Sequence, residues 1–270
     1  MSRMAKLKDD AITAKDMEEF VGCNSDFAFE MHVLAQLRAL GFECAHSGTY
    51  RDPVSDKMRQ FDIRAIKHRD NFTLALAVEC KNLRPNNPLL LSAVPRTPSE
   101  SFHDLLVWKR WTHAGHPSVR PITGGDSAYK PEDMVGKKTD QVGRDTSGAL
   151  VSNDEPTFDK LNQAVNSCRD LVRDFPPKGD EPLVRAVVPI LVVPEGLLWQ
   201  ADYDRGGRLA EGPRAVAHTT LFLNNTWSVE TGLNPIPCRQ SHIEFVTLGA
   251  LPGVVDAYLG PDGFFGTVRE

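Results

Sequence analysis

Nowhere does the 270-residue chain carry an apolar run near the roughly 20 residues that a membrane-spanning helix requires. The opening segment, Met1 to Glu19, is polar and mixed in charge and holds no apolar core of the kind a secretory leader has. Both absences predict a soluble, cytoplasmic protein. Cysteine is sparse: Cys23, Cys44, Cys80, Cys168 and Cys238 are odd in number, scattered and never spaced as CxxC. That argues against a disulfide framework and a cysteine-built zinc site, and predicts buried free thiols. A basic excess is missing too. The formal net charge is −5, whereas phosphate binding normally draws on a basic surface. Any nucleic-acid contact must then come from a local groove. Lys130, Lys137, Lys138 and Arg144 form one candidate cluster, and Arg96, Lys109 and Arg110 another; the plainer reading of either is a solvated face. There is no internal repeat and no low-complexity tract. Gly136-Lys137-Lys138-Thr139-Asp140-Gln141 lacks the GxxxxGKS/T spacing and a preceding strand, which excludes a nucleotide triphosphatase.

What is present is enough apolar material, 41% of residues, to fill a core. After a polar lead-in over 1–23 with a short helix around Ala14–Phe20, Asn24 or Ser25 can cap a helix beginning at Asp26, whose charge suits a helix start. Phe27, Met31, Leu34 and Leu37 recur at helical spacing, and Gly41 ends the element. Phe42–Arg51 reads as a strand and Asp52–Lys57 as a turn. Gln60–Lys67 and Phe72–Lys81 then read as two strands joined at His68–Asn71. In the second, Leu74, Leu76, Val78 and Cys80 share one face, and Ala75, Ala77, Glu79 and Lys81 the other.

Residues 82–156, broken by Pro85, Pro88, Pro95, Pro98, Pro117 and Pro121, read as a long, partly mobile insertion with a helix over about Ser99–Trp111. Thr157–Phe175 is an amphipathic helix with Phe158, Leu161, Val165, Cys168, Leu171 and Val172 on one side, stopped by Pro176 and Pro177. Val184–Val193 has the continuous apolar character of a strand buried on both faces. Leu197–Asp204 and Arg214–Leu223 read as a hairpin around Gly206–Gly207, His242–Leu248 as a last strand, and Val254–Leu259 as a short helix.

The chemistry concentrates in Gln60-Phe61-Asp62-Ile63 and Val78-Glu79-Cys80-Lys81-Asn82. Residues two apart on a strand point the same way, so Glu79 and Lys81 share a side. A turn centred on Arg69–Asp70 sets residue 62 opposite 77, and a shift of two sets it opposite 79. In both registers Asp62 shares a face with Glu79, across the pair or on its diagonal. Two carboxylates so placed can reach one hard cation, and magnesium takes one or two carboxylates plus waters and phosphate. A surface salt bridge is the competing explanation; the strongly apolar opposite face of both strands weighs against it. A metal held by Asp62, Glu79 and the Cys80 backbone carbonyl would lower the pKa of a bound water. Lys81 would orient that water or answer charge developing on phosphorus.

This segment resembles the PD-(D/E)XK, or restriction-endonuclease-like, nuclease superfamily, in which an acid on one strand precedes (D/E)-x-K on the next; here these are Asp62 and Glu79-Cys80-Lys81. Many members add a glutamate from the preceding helix, a place taken by Glu30, which is a further possible metal ligand. The residue before Asp62 is Phe61 rather than proline, and the linker after Lys81 is longer than a minimal core needs. The resemblance covers residues 24–82, and 157–194 by element order. It implies an α/β fold with a restriction-endonuclease-like core (helix, mixed central β-sheet, helix), a long insertion and extra C-terminal strands, all within one domain over 24–270. It further implies a Mg²⁺-dependent endonuclease, with Mn²⁺ able to substitute, acting on DNA in bacterial or phage defence or DNA processing. A homodimer suits cleavage of both strands, and a partner ATPase or sensor is the other assembly considered. The alternatives are a non-catalytic nucleic-acid-binding or structural subunit with a nuclease fold, and a nuclease active only with a partner protein.

Lesser candidates carry plainer readings. His103-Asp104, His113 and His116 read as loop residues rather than a metal site. Lys137 and Gln141, one turn apart if helical, could touch nucleic-acid backbone or simply be solvated. Gln163 could face the cleft or make a structural contact. Trp108 and Trp111 could stack on a base or anchor the insertion.

Overall fold

The computed structural model describes residues 9–23, 25–52, 55–111, 114–152, 155–173, 183–229, 234–260 and 264. Asn24, His113 and 174–182 lie outside them, as do the side chains of Cys23, Lys109, Arg110, Trp111 and His116. Helix α1 (Ala14–Cys23) starts where Thr13 and Asp16 bond each other's backbone N–H, and Met17, Phe20 and Val21 on it are exposed. Helix α2 (Phe27–Ala39) is opened by the Ser25 hydroxyl, which accepts the Phe27 N–H at 3.2 Å, and is followed by Gly41 at φ +83°. Its buried residues are Phe29, Val33, Leu34 and Leu37. Phe27 is 58% exposed and Met31 also faces outward, contrary to the expected stripe. The row that meets the sheet is Phe29–Val33–Leu37, and Phe27 and Met31 form the neighbouring row on its flank.

The expected strand Phe42–Arg51 is divided. Strand β1 (Glu43–His46) joins the main sheet, while β2 (Thr49–Arg51) and β3 (Met58–Gln60) form a separate two-stranded ribbon. The break falls at Ser47, φ +54°, and Gly48, where a Cβ would come within 2.3 Å of the Phe61 ring. Strand β4 (Ile63–Arg69) pairs antiparallel with β1 and with β5 (Phe72–Cys80). The β4–β5 register runs from Ile63↔Val78 to Arg69↔Phe72 around Asp70, which holds φ +52°. This is the second of the two registers foreseen, and it sets position 62 directly across from 79.

The 82–156 stretch is sheet, not a loosely attached insertion. It contributes β6 (Leu89–Pro95), β7 (Phe102–Trp111), β8 (Ala114–Thr123), β9 (Met134–Arg144) and β10 (Leu150–Ser152). The helix expected from Ser99 stops after one 3₁₀ turn, Pro98–Glu100, capped by Thr97 and Glu100. Beyond it Phe102, Leu105, Leu106 and Val107 are all buried, and the segment pairs as strand β7 with β8. Lys137 and Gln141 sit on β9 rather than on a helix, so they are about 13 Å apart at 3.3 Å per residue.

Helix α3 (Glu155–Arg173) buries Leu161, Val165, Cys168, Leu171 and Val172 as its periodicity requires, but Phe158 is 62% exposed, with Thr157 turned inward in its place. Strand β11 (Leu183–Val193) lies parallel between β5 and β15 and pairs antiparallel with β7 at its first residues. Strand β12 (Leu198–Asp202) meets β13 (Arg214–Ala215) over two residue pairs, and β14 (His218–Val229) departs to pair with β15 (Ile236–Thr247). The expected second hairpin is therefore split, and the last strand starts six residues before His242. Helix α4 (Leu251–Leu259) closes the described fold.

The result is α/β, with few helices and a single mixed sheet of thirteen strands among the described residues. Helix α3 covers one face, on Ala75, Ala77, Val187 and Leu191; α2 and α4 cover the other, on Leu76, Val78, Val188 and Ile190. No described helix is long and apolar enough to cross a membrane. Cys44, Cys80, Cys168 and Cys238 are free thiols, the last three buried.

Candidate active site

The register of β4 and β5 decides the geometry. Asp62, just before β4, faces Glu79 near the end of β5, and the Asp62 N–H donates to Glu79 Oε1 at 3.4 Å. The Cys80 N–H donates to Asp62 Oδ2 at 2.8 Å, which fixes the aspartate against the strand end. Both acids lie on the α3 face, and α3 sends Lys160 between them. Its Nζ stands 2.6 Å from Asp62 Oδ2 and 3.0 Å from Glu79 Oε2. The sequence reading missed Lys160. The available signal was its spacing: Lys160, Ala164 and Cys168 fall at i, i+4 and i+8 along the seam that meets the sheet, where an unpaired ammonium is costly.

Burial shapes the electrostatics. Glu79 is 1% exposed, and burial first, then the Asp62 charge, pushes its pKa up to about 8 against the pull of Lys160. Burial alone would drive Lys160 down, but the charges of Glu79 and Asp62 outweigh it and hold the ammonium above the ordinary lysine range. Lys81 follows two residues after Glu79, half-buried, and burial lowers its pKa, with Asp26 pulling the other way. Asp26 was read as a helix-start charge, yet its side chain makes no cap bond. Burial raises its pKa, opposed by Lys160 and Lys81. With Lys81, Asn82, Arg84 and Gln141 it lines a cleft of about 230 Å³ beside the paired acids.

Glu30 has a different partner. Its Oε2 lies 3.2 Å from His46 Nε2, which explains how a half-buried acid is tolerated on α2. The Gln163 carbonyl accepts from the Tyr50 hydroxyl at 3.4 Å and Asn166 donates to Asp52 at 3.1 Å, so the β2–β3 ribbon is tied to α3 beside the acids. Arg64 bridges to Ser167 and Asp170, tying β4 to the same helix.

The other candidates disperse. Arg96 is buried rather than part of a solvated basic face, Lys137 pairs with Glu100, and Lys138 pairs with Asp140. His103 and Asp104 are buried on β7, not in a loop; Asp104 accepts three bonds from Arg239, and burial lowers His103 to about 4. Trp108 packs against the core under α3.

The donor set suits a hard cation. Two carboxylates already converge on one positive charge, and all the candidate ligand atoms are oxygens. Among the described residues no group of three or more His, Cys, Asp or Glu side chains assembles as a metal cage. A pair of carboxylates is, however, the sparse protein ligation magnesium normally accepts. No family model matches the chain, and neither a characterised protein nor a solved structure does.

Proposed function

We propose that the chain is a divalent-metal-dependent endonuclease of the PD-(D/E)XK type acting on DNA, with Asp62 and Glu79 as metal ligands and Lys81 as the catalytic cation. The observation that carries this is the convergence of the Asp62 and Glu79 carboxylates on a single ammonium at 2.6 and 3.0 Å, with Lys81 two residues beyond Glu79, just past the end of β5. The helix–mixed sheet–helix layering supports it, since that is the arrangement the resemblance implies. Mg²⁺ held by Asp62, Glu79 and the Cys80 carbonyl would supply an acidified water and a Lewis acid for a phosphate oxygen. The chain's own groups do the rest. Lys81, whose pKa burial lowers, positions the attacking water or answers charge on the phosphate. Lys160, on a long side chain, yields the carboxylates to a stronger cation and can then face the scissile phosphate as a second positive charge.

The test is cleavage of plasmid and linear duplex DNA with Mg²⁺, Mn²⁺ or chelator. Glu79→Gln and Lys81→Ala should lose cleavage by at least about 100-fold while keeping the wild-type unfolding transition. Equal cleavage by either variant and the wild type defeats the assignment. The Lys160 contact also favours a second reading, a nuclease held latent until a partner draws the lysine away. An inert chain that still binds Mg²⁺ through Asp62 supports that form. An absence of Asp62-dependent metal binding identifies a non-catalytic subunit.

A further inference from the structure

A second cleft, of about 800 Å³, opens on the opposite side of the sheet, between α4, β14, β15 and residues 126–134. Its place follows from register. Glu244 on β15 aligns with Ile190 on β11 and Val78 on β5, one step before the row that contains Glu79. Strand alternation therefore turns Glu244 away from the Glu79 face.

The floor of this cleft holds a buried cation with no carboxylate in hydrogen-bond contact among the described residues. Arg96 is 2% exposed and bonds three neutral acceptors: His242 Nε2 at 3.2 Å, the Lys130 carbonyl at 2.8 Å and Thr220 Oγ1 at 2.9 Å. A guanidinium has five N–H groups, so donors remain. Among the described residues the one carboxylate within 4 Å is Asp133, at 3.9 Å, and its side chain is 65% exposed and screened by water. The buried acid that lines the cleft, Glu244, is committed elsewhere. Its Oε2 meets His218 Nε2 at 2.6 Å, and its Oε1 accepts from the Tyr258 and Tyr129 hydroxyls at 2.8 and 3.0 Å. Asp126 and Asp256 line only the exposed rim. Lys130 stands at the mouth, and Val254, Ala257 and Tyr258 of α4 give one wall an apolar surface. Burying a cation whose one described carboxylate partner, Asp133, is distant and solvent-exposed is costly. An anion entering this cleft would supply the missing charge, and the volume lies within the range of small-molecule sites.

We propose that this cleft binds a small molecule bearing an oxyanion, a phosphate or a carboxylate, seated on Arg96 with its apolar body against α4. The site is separate from the Asp62–Glu79 pair and does not rest on the nuclease reading. Calorimetry on the full chain in chelator, with adenosine 5′-monophosphate, benzoate and inorganic phosphate as probes, tests it. The first two should bind more tightly than inorganic phosphate; the monophosphate ahead of benzoate identifies a phosphate ligand, and the reverse order a carboxylate. Arg96→Gln should weaken binding by about tenfold or more, the worth of a charge-assisted hydrogen bond. Because Arg96 is buried and that variant can fail to fold, Lys130→Ala at the exposed mouth provides a second arm and should also weaken binding. Excess duplex DNA should not compete. No binding of any probe to the wild type, affinity unchanged in Lys130→Ala and in any folded Arg96→Gln, or competition by DNA would each overturn the proposal.

Discussion

Replacing Lys160 with methionine keeps the bulk of the side chain and removes the charge that Asp62 and Glu79 share, and the consequence can be worked through by pH. Below pH 8 the wild-type Glu79 already holds a proton, because burial and Asp62 push its pKa up to about 8. There the variant loses only the attraction between Lys160 and Asp62, softened by a proton shared between the two acids. Lys160 lowers the Glu79 pKa, so the variant retains the Glu79 proton to higher pH than the wild type does. Above pH 8 the folded variant binds one proton more than its unfolded chain, while the wild type no longer does. The stability gap then widens by about 1.4 kcal/mol per pH unit. With both acids forced to ionise, the full cost approaches the about 3–5 kcal/mol of a broken buried pair. At about 2–4 °C per kcal/mol this is a fall in Tm of about 6–20 °C. Chemical and thermal unfolding at pH 7 and pH 9, with and without Mg²⁺, measure it. Mg²⁺ should rescue the variant more than the wild type, since it has no ammonium to displace. A Lys160→Met protein as stable as the wild type at both pH values, and indifferent to Mg²⁺, would refute the electrostatic account of the site.

Two further outcomes follow from the same structure. Divalent-ion affinity should rise about tenfold per pH unit up to about pH 8 and level off above it, because each ion captured by Glu79 releases the proton held there. Calorimetry in buffers of different ionisation enthalpy reads that proton directly, and a flat profile would contradict the raised Glu79 pKa. Asp170→Ala should cost about 3–5 kcal/mol by stranding Arg64, which it meets at 3.2 Å on largely buried side chains; denaturant midpoints check it, and a loss under 1 kcal/mol would show the bridge to be dispensable.

The parts of the fold legible in the sequence are those whose signal is local. Period-two alternation from Phe72 to Lys81 and the short turn at Asp70 fix a hairpin, and sheet parity alone puts Asp62 and Glu79 on one face. Apolar spacing over 161–172 likewise gives α3 and its buried side. The 82–156 stretch was misread in part because much of its pairing is distant: β6 runs between β9 and β12, and β7 joins β11 as well as its hairpin partner β8. The helix signal before β7 was real but ended after Glu100, where tertiary pairing overrode it. Lys160 lies 98 residues beyond Asp62, and its role depends on how α3 crosses the sheet. Arg96 was visible as a basic residue, but whether such a residue is solvated or sealed is decided by packing alone.

The two buried acids on the strands that flank β11, Glu79 on β5 facing α3 and Glu244 on β15 facing α4, also act as a proofreading device for assembly. If β5 slid by one residue, Glu79 would be driven among the aliphatic side chains beneath α2, far from any ammonium, and Val78 would be left to face Lys160. The same slip in β15 would strip Glu244 of His218 and both tyrosines. Misaligned chains therefore carry a stranded charge on whichever face is wrong, and the correct alignment is the one in which both acids find their partners at once.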